Sequence, residues 1–144
     1  MSVLRILIAD DHEIVRQAIA SLLTLRWGYD ICGEAANGQE AIEKVIELHP
    51  DVVVLDLSMP VMTGTAAARV IHRIAPQTRI IFLSMHDSET IIELTKLVGA
   101  DACLSKRSAT SELNKAIVAV LKIEHDEFEF RRRSFFDSTE PTKY

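Results

Sequence analysis

Acidic, hydroxyl and basic side chains stand at the ends of the apolar stretches of this chain. Asp10 and Asp11 follow the first stretch, Asp56 and Ser84 end two later ones, and Lys106 follows the last. Three carboxylates gathered at one place repel one another, which disfavours their ionised forms. A divalent cation removes that cost, and Mg²⁺ prefers hard oxygen ligands of this kind. With an ammonium and a hydroxyl for the oxygens of a transferred group, the set suits phosphoryl transfer onto Asp56.

The apolar stretches alternate with helical patterns that must position these side chains. Val52–Leu55 is unbroken and rich in β-branched residues, which is typical of a strand buried on both faces of a parallel sheet. Five strand–helix alternations predict an α/β fold, a flavodoxin-like (βα)5 doubly wound parallel sheet. In the strand order 2-1-3-4-5, strands one and three flank the switch point where such sheets bind ligands. This order brings Asp10, Asp11 and Asp56 together.

Helix boundaries follow from capping residues and from the spacing of apolar side chains. We expect Asp11 to cap the first helix and Ser108 to cap the last. The apolar stripes predict inward-facing residues in the second helix (Ala41, Ile42, Val45, Ile46) and in the third (Ala67, Val70, Ile71, Ile74). The fourth helix has more apolar residues than one face can bury, because Ile92 and Leu97 project away from the Ile91, Leu94 and Val98 face. Those two residues indicate either wider burial or a patch for a partner or dimer.

Composition and charge narrow the class of protein. The chain has 144 residues, 48% of them hydrophobic and 26% charged, which is ordinary for one globular domain. A formal net charge of −5 argues against direct DNA binding, and no apolar run approaches the length of a membrane span. The cytoplasm is the expected compartment. Cys32 and Cys103 fall on opposite edge strands of the predicted sheet and are not expected to form a disulfide.

Five separated motifs together resemble the receiver domain of two-component response regulators, the CheY-like family. They are Asp10-Asp11, Asp56-Leu-Ser-Met-Pro60, Met62-Thr-Gly64, Ser84, and Gly99-Ala-Asp101 followed by Lys106. The resemblance covers about residues 3–122. The opening Ala9-Asp-Asp-His-Glu-Ile-Val-Arg16 is similar to the subgroup that usually carries a C-terminal helix-turn-helix.

The resemblance implies a signalling role and a set of site residues. Asp56 is the expected phosphoacceptor, modified by a phosphohistidine on a sensor histidine kinase or a phosphotransfer protein. Mg²⁺ is expected on Asp11, Asp56 and the backbone carbonyl of Ser58, with Asp10 acting through water. Lys106 and Ser84 are expected to contact the phosphoryl oxygens. Movement of Ser84 is then expected to remodel the surface of helix four, strand five and helix five for a downstream protein partner or a second copy of the chain.

Several positions depart from the family pattern or stand outside it. Cys103 occupies the place of the aromatic switch residue three positions before the lysine, and Arg107 stands where many relatives have proline. His86 follows Ser84 closely and is a hypothetical tuner of water attack on the phosphoaspartate. The remaining histidines have no ligand spacing and are expected on the surface (His12, His49, His72, His125).

The sequence predicts two regions, a receiver domain over residues 1–124 and a C-terminal tail over 125–144. The tail holds four of the five phenylalanines beside an arginine triplet, and it is expected to extend the last helix or to be disordered. Only 22 residues follow Lys122, too few for the helix-turn-helix of the subgroup, so a receiver without that output domain is expected.

Two other functions remain open from the sequence. An adaptor of receiver fold that binds its partner without phosphorylation is disfavoured by the complete set of acids and by Lys106. A Mg²⁺-dependent aspartyl phosphatase usually takes its nucleophile from the first strand and needs a cap over its substrate. The pair Asp10-Asp11 and the lack of a cap insertion argue against that enzyme, so a binding switch with no separate substrate is the preferred prediction.

Overall fold

Five strands and five α-helices alternate along the chain, as the sequence predicts. The computed structural model of the protein describes residues 3–26, 28–85 and 89–121. The strands are β1 Leu4–Ala9, β2 Tyr29–Ala35, β3 Val52–Asp56, β4 Arg79–Ser84 and β5 Ala102–Ser105. The helices are α1 Glu13–Thr24, α2 Gly38–Leu48, α3 Gly64–Ile74, α4 Glu89–Leu97 and α5 Ala109–Leu121, with one 3₁₀ turn at Lys106–Ser108.

All five strands form one parallel sheet in the order β2-β1-β3-β4-β5. This order confirms the predicted doubly wound fold and places the carboxyl ends of β1 and β3 side by side. Cys32 and Cys103 lie on the two opposite edge strands and are free thiols, as expected. No helix within the described ranges is both long enough and apolar enough to cross a membrane.

Alternating strand residues divide the core into one layer on each face of the sheet. One layer packs α2, α3 and the end of α4 against the face that carries Leu55 and Phe82. The other packs α1 and α5 against the face that carries Val54 and Leu83. The four residues Val52–Leu55 are all at most 1% exposed, which is the burial that their unbroken apolar pattern predicts. Burial on both faces fixes where β3 ends and therefore where Asp56 lies.

Two predicted caps are wrong. The N-cap of α1 is His12, whose side chain makes no capping hydrogen bond, and the His12 amide instead donates to Asp10 Oδ1 at 2.9 Å. Asp11 is therefore not the cap. Before α5, the chain first forms the 3₁₀ turn, and the hydroxyl of Ser105 accepts from the Arg107 amide at 3.1 Å. The Ser108 hydroxyl donates to the Ser105 carbonyl at 3.2 Å.

Two residues predicted to face the core are exposed. Ile46 of α2 is 57% exposed and lies about 100° around its helix from the buried Val45. Ile74 of α3 is 46% exposed although it lies only about 60° from the buried Ile71, because it is the last residue of its helix. Val45 and Ile71 take the inward positions. In α4, Leu97 is 78% exposed while Ile92 is half-buried. Of the two residues predicted to project from the buried face, Leu97 therefore leaves most of its side chain exposed and Ile92 does not.

A partly buried hydrogen bond joins β2, an edge strand of the sheet, to α5, and we expect it to contribute measurably to stability. The Tyr29 hydroxyl donates to Asn114 Oδ1 at 2.6 Å across 85 residues of sequence. Tyr29→Phe removes the donor, keeps the ring, and should lower the free energy of unfolding by about 1 kcal/mol. Urea denaturation at neutral pH measures this loss. An unchanged midpoint and slope would show that the contact contributes nothing.

Candidate phosphoryl-acceptor site

The predicted site residues converge at one edge of the sheet. Asp10 follows β1, Asp56 ends β3, Ser84 ends β4, and Lys106 follows β5. Asp10, Asp56 and Ser84 are 1%, 5% and 3% exposed, so the site is polar but almost closed to water. The Asp11 side chain is more open, at 27% exposure. The structure thus assembles side chains that lie up to 96 positions apart in the sequence.

Lys106 holds two of the acids together. Its Nζ lies 2.8 Å from Asp10 Oδ2 and 3.4 Å from Asp56 Oδ2, and its side chain is 15% exposed. Burial by itself lowers the pKa of Lys106, but the hydrogen bond to Asp10 and the charges of Asp56 and Asp10 outweigh burial and raise it. Lys106 therefore stays an ammonium at physiological pH and faces both carboxylates.

The charge of Asp56 is only partly compensated by this ammonium. Burial, and then the negative charge of Asp10, raise the pKa of Asp56 from 3.8 to about 6. The Lys106 charge, its hydrogen bond and the backbone amide of Ser58 act in the opposite direction and are weaker in sum. At neutral pH the site therefore holds more negative charge than its surroundings neutralise.

The acids next to Asp56 fit a divalent cation. Asp10 Oδ2 and Asp11 Oδ1 are shut off from water and, among the described residues, accept no well-directed hydrogen bond. Asp10 Oδ2 does have the Lys106 ammonium at 2.8 Å, so Asp11 Oδ1 is the better candidate for a direct metal bond. Carboxylate oxygens suit Mg²⁺, which usually retains several waters. The residues at this edge therefore fit the metal that the sequence predicts.

A cavity of about 400 Å³ opens beside Asp56 and connects the site to α4. Its polar lining includes Ser58, Thr63 and Ser84, while Ile91 and Leu94 of α4 form part of its apolar wall. Ser84 thus lines the same cavity as the Asp56 carboxylate and as α4, the helix that its movement is expected to affect. The hydroxyls of Thr63 and Thr65 also line the cavity, which the sequence analysis did not anticipate.

Two further residues at the site, His12 and Arg16, were not predicted to belong to it. His12 is on the surface, as predicted, with its side chain 68% exposed, but its Nδ1 lies 3.3 Å from both Asp10 Oδ1 and Asp11 Oδ1. Arg16 donates from Nη1 to the Asp10 backbone carbonyl at 2.7 Å and from Nε to Glu34 Oε1 at 2.9 Å. His12 directly follows the acid pair and Arg16 lies five residues after Asp11, which was the available sequence signal.

Of the predicted tuning and switch residues, the structure describes Cys103 but not His86. Cys103 of β5 is half-buried, pairs with Phe82 and packs against the α2–α4 side of the core. The peptide between Lys106 and Arg107 is trans. His86 and the tail over residues 125–144 lie outside the described residues.

The loop after Asp56 contains a strained residue. Val61 has φ +67° and is 84% exposed, and the Met62 amide donates to the Pro60 carbonyl at 2.6 Å around it. A β-branched residue at positive φ is costly, whereas asparagine tolerates it. Val61→Asn should therefore raise the free energy of unfolding by about 0.5–1 kcal/mol in urea denaturation. A loss of stability in this variant would contradict the strain.

The fold and the acid–lysine edge define the class of protein as an α/β receiver module. The response regulator receiver domain family matches residues 6–118, and the chain belongs to that family. It is 39% identical over 119 residues to the chemotaxis protein CheY of Thermotoga maritima, covering 82% of this chain and 98% of that one. A two-component response regulator of the LuxR family from Aurantimonas sp. has a solved structure with a TM-score of 0.80 and 34% identity, over 92% and 99% of the two chains.

A longer relative shows how far the match extends. The transcriptional regulatory protein LnrK of Bacillus subtilis is 37% identical over 117 residues, which cover 81% of this chain but 53% of the relative. The chain thus spans about half the length of that relative. The similarity shows the receiver fold and family.

Proposed function

We propose that this chain is a phosphoacceptor response regulator whose Asp56 takes a phosphoryl group from a sensor histidine kinase or a phosphotransfer protein. The observation that carries the proposal is the Asp56 carboxylate, 5% exposed at the end of β3 and sharing the Lys106 ammonium with Asp10. A buried carboxylate with uncompensated negative charge around it lowers the free energy of unfolding. Its position is therefore better explained by a chemical role than by a contribution to stability. Membership of the receiver family supports the same role.

The transfer requires little covalent chemistry from the protein. An Asp56 carboxylate oxygen attacks the phosphorus, the P–N bond of the phosphohistidine breaks, and its electron pair returns to the imidazole ring. An acyl phosphate remains on Asp56. Lys106 and the Ser84 hydroxyl are proposed to contact the phosphoryl oxygens. Mg²⁺, held by Asp11, Asp56 and the Ser58 backbone carbonyl with Asp10 acting through water, supplies positive charge beside those oxygens when it is bound.

The output of this switch is proposed to be a changed surface of α4, β5 and α5. Ser84 and the α4 residues Ile91 and Leu94 line the same cavity beside Asp56, so a Ser84 hydroxyl drawn toward a phosphate alters the support of α4. Cys103, in the place of the aromatic residue, gives β5 a smaller moving side chain. A downstream protein partner or a second copy of this chain would recognise the new surface. No separate substrate is turned over.

Incorporation of phosphate from a small donor tests the proposal without the kinase. The purified protein, incubated with acetyl phosphate and Mg²⁺, should gain the mass of one phosphoryl group, and the gain should disappear when EDTA removes the metal. Lys106→Ala should slow the gain at least tenfold, while Lys115→Ala, a lysine whose side chain is 75% exposed on α5, should not alter it. Wild-type protein that gains no mass would instead favour an adaptor that works without phosphorylation.

A further inference from the structure

His12 has the position and the geometry of a metal ligand. It stands at the N-cap of α1 in an extended conformation, directly after the two acids, and its ring makes no capping contact. Its Nδ1 is 3.3 Å from Asp10 Oδ1 and 3.3 Å from Asp11 Oδ1. The ligand atoms of these three residues lie within 4.8 Å of one another. One nitrogen and two carboxylates therefore face a common point.

The spacing matches that of adjacent ligands around a single ion. Two adjacent ligands bound at about 2.0–2.2 Å lie roughly 2.8–3.1 Å apart in an octahedral site and roughly 3.3–3.6 Å apart in a tetrahedral one. Asp10 is 1% exposed, its Oδ1 accepts from the His12 amide at 2.9 Å, and its Oδ2 lies 2.8 Å from the Lys106 ammonium. Asp11 Oδ1 is closed to water and accepts no well-directed hydrogen bond from the described residues. The Asp10 carboxylate is thus held in place, and the Asp11 oxygen that faces His12 is already closed to water. The exposed imidazole nitrogen of His12 is the third member of the set.

We propose that His12 binds the site's divalent cation through Nδ1, which gives the site a preference for late first-row metal ions over Mg²⁺. The inference rests on the proposed function, because it assigns a further ligand to the metal beside Asp56. A ligand set of carboxylate and carbonyl oxygens suits Mg²⁺, whereas an imidazole nitrogen favours ions further along the divalent series. His12 is therefore a selectivity-determining residue, and the cations that its nitrogen ligand favours belong to the borderline transition-metal class.

Cobalt is a suitable probe because Co²⁺ is divalent, accepts both nitrogen and oxygen ligands, and shifts the proton resonances of its ligands. Calorimetric titration of the full chain with Co²⁺ and with Mg²⁺ gives the ratio of the two dissociation constants. His12→Asn replaces the ring nitrogen by an oxygen donor and places a good capping residue at the start of α1, so the variant should fold. His72→Ala removes an exposed imidazole from α3 and is the matched control.

The expected result is a fall of about tenfold or more in the preference for Co²⁺ over Mg²⁺ in His12→Asn, with no change in His72→Ala. In the Co²⁺-loaded wild type, an exchangeable imidazole N–H resonance should be strongly shifted, and it should be missing from His12→Asn. An equal Co²⁺ preference in His12→Asn and wild type, or a shifted resonance that persists in the variant, would overturn the inference. If wild-type protein takes up phosphate with Mg²⁺ in either case, the proposed function stands and only the His12 assignment fails.

Discussion

Asp56→Asn is expected to raise the free energy of unfolding by up to about 3 kcal/mol at pH 8 in the absence of divalent metal. The variant keeps the shape of the side chain and removes its charge. Burial and the charge of Asp10 raise the pKa of Asp56 to about 6, so the folded protein resists ionisation of this group. Removing a phosphoacceptor should thus stabilise the protein, the reverse of the usual effect of altering a buried residue.

The pH dependence of this gain has a definite sign. An aspartate ionises near pH 4 in the unfolded chain but at about pH 6 when it is Asp56 of the folded protein, so the folded state binds more protons in between. The wild type therefore loses stability as the pH rises from about 4 through about 6. Asp56→Asn does not, and the difference between the two proteins should be near zero at pH 4 and complete by pH 8.

Urea denaturation at several pH values, with and without Mg²⁺, measures these differences. Mg²⁺ should stabilise the wild type at pH 8 and should stabilise Asp56→Asn much less, because the cation offsets the charge that the variant lacks. Asp30→Asn, on the exposed edge of β2, changes the net charge equally and should show neither effect. An Asp56→Asn variant that is less stable than the wild type at pH 8 without metal would show that burial and the charge of Asp10 do not make the Asp56 charge destabilising.

Gly64→Ala is expected to cost about 3–5 kcal/mol and to displace the phosphoacceptor strand end. Gly64 begins α3, and its amide donates to the Leu57 carbonyl at 2.9 Å, which folds the loop back onto β3. A Cβ at this position would overlap the backbone carbonyl oxygen of Asp56. The three nearest atoms are all backbone atoms of Asp56 and Leu57, so no flexible side chain can move away and the loop or the end of β3 must shift.

Gly28→Ala is a control for the general cost of replacing a glycine. Gly28 has φ +86° and no described atom within 4 Å of the position of a Cβ, so only the backbone conformation opposes the change, by about 1 kcal/mol. Thermal or urea denaturation should therefore separate the two variants by at least 2 kcal/mol. Phosphate uptake from acetyl phosphate should fall in Gly64→Ala and remain in Gly28→Ala. Equal stability losses would show that the contact between position 64 and the Asp56 carbonyl does not restrict the residue at position 64 to glycine.

The strands and helices were predictable because each carries a local signal of its burial, whereas the order 2-1-3-4-5 was taken from the known topology of doubly wound sheets. The β-branched run before Asp56 and the helical stripes between the strands are local patterns. They can be recognised in the sequence without knowing which residues pack against them. The failures at Ile46 and Ile74 have a different origin. Ile46 widens an apolar stripe by one position and Ile74 lengthens one to the end of its helix, and only the extent of the packed face decides whether such positions are covered.

The site was predictable as a set of strand-end residues but not in its contacts. Asp10, Asp56 and Lys106 meet because parallel strands end at one edge, which is a rule of topology. The roles of His12 and Arg16 depend on the path of the chain between β1 and α1. This path lets the Asp10 carboxylate accept a hydrogen bond from the His12 amide and the Asp10 carbonyl accept one from Arg16. The strain at Val61 likewise depends on a loop conformation that no local preference of valine would suggest.

Locating the phosphoryl group tests the central claim most directly. The protein is incubated with Mg²⁺ and acetyl phosphate, the acyl phosphate is reduced with borohydride to leave a homoserine, and the peptides are mapped by mass spectrometry. We predict that homoserine appears at position 56 alone and is lost when the metal is withheld. Homoserine at another acid, or none at position 56 in metal-loaded protein, would contradict the account.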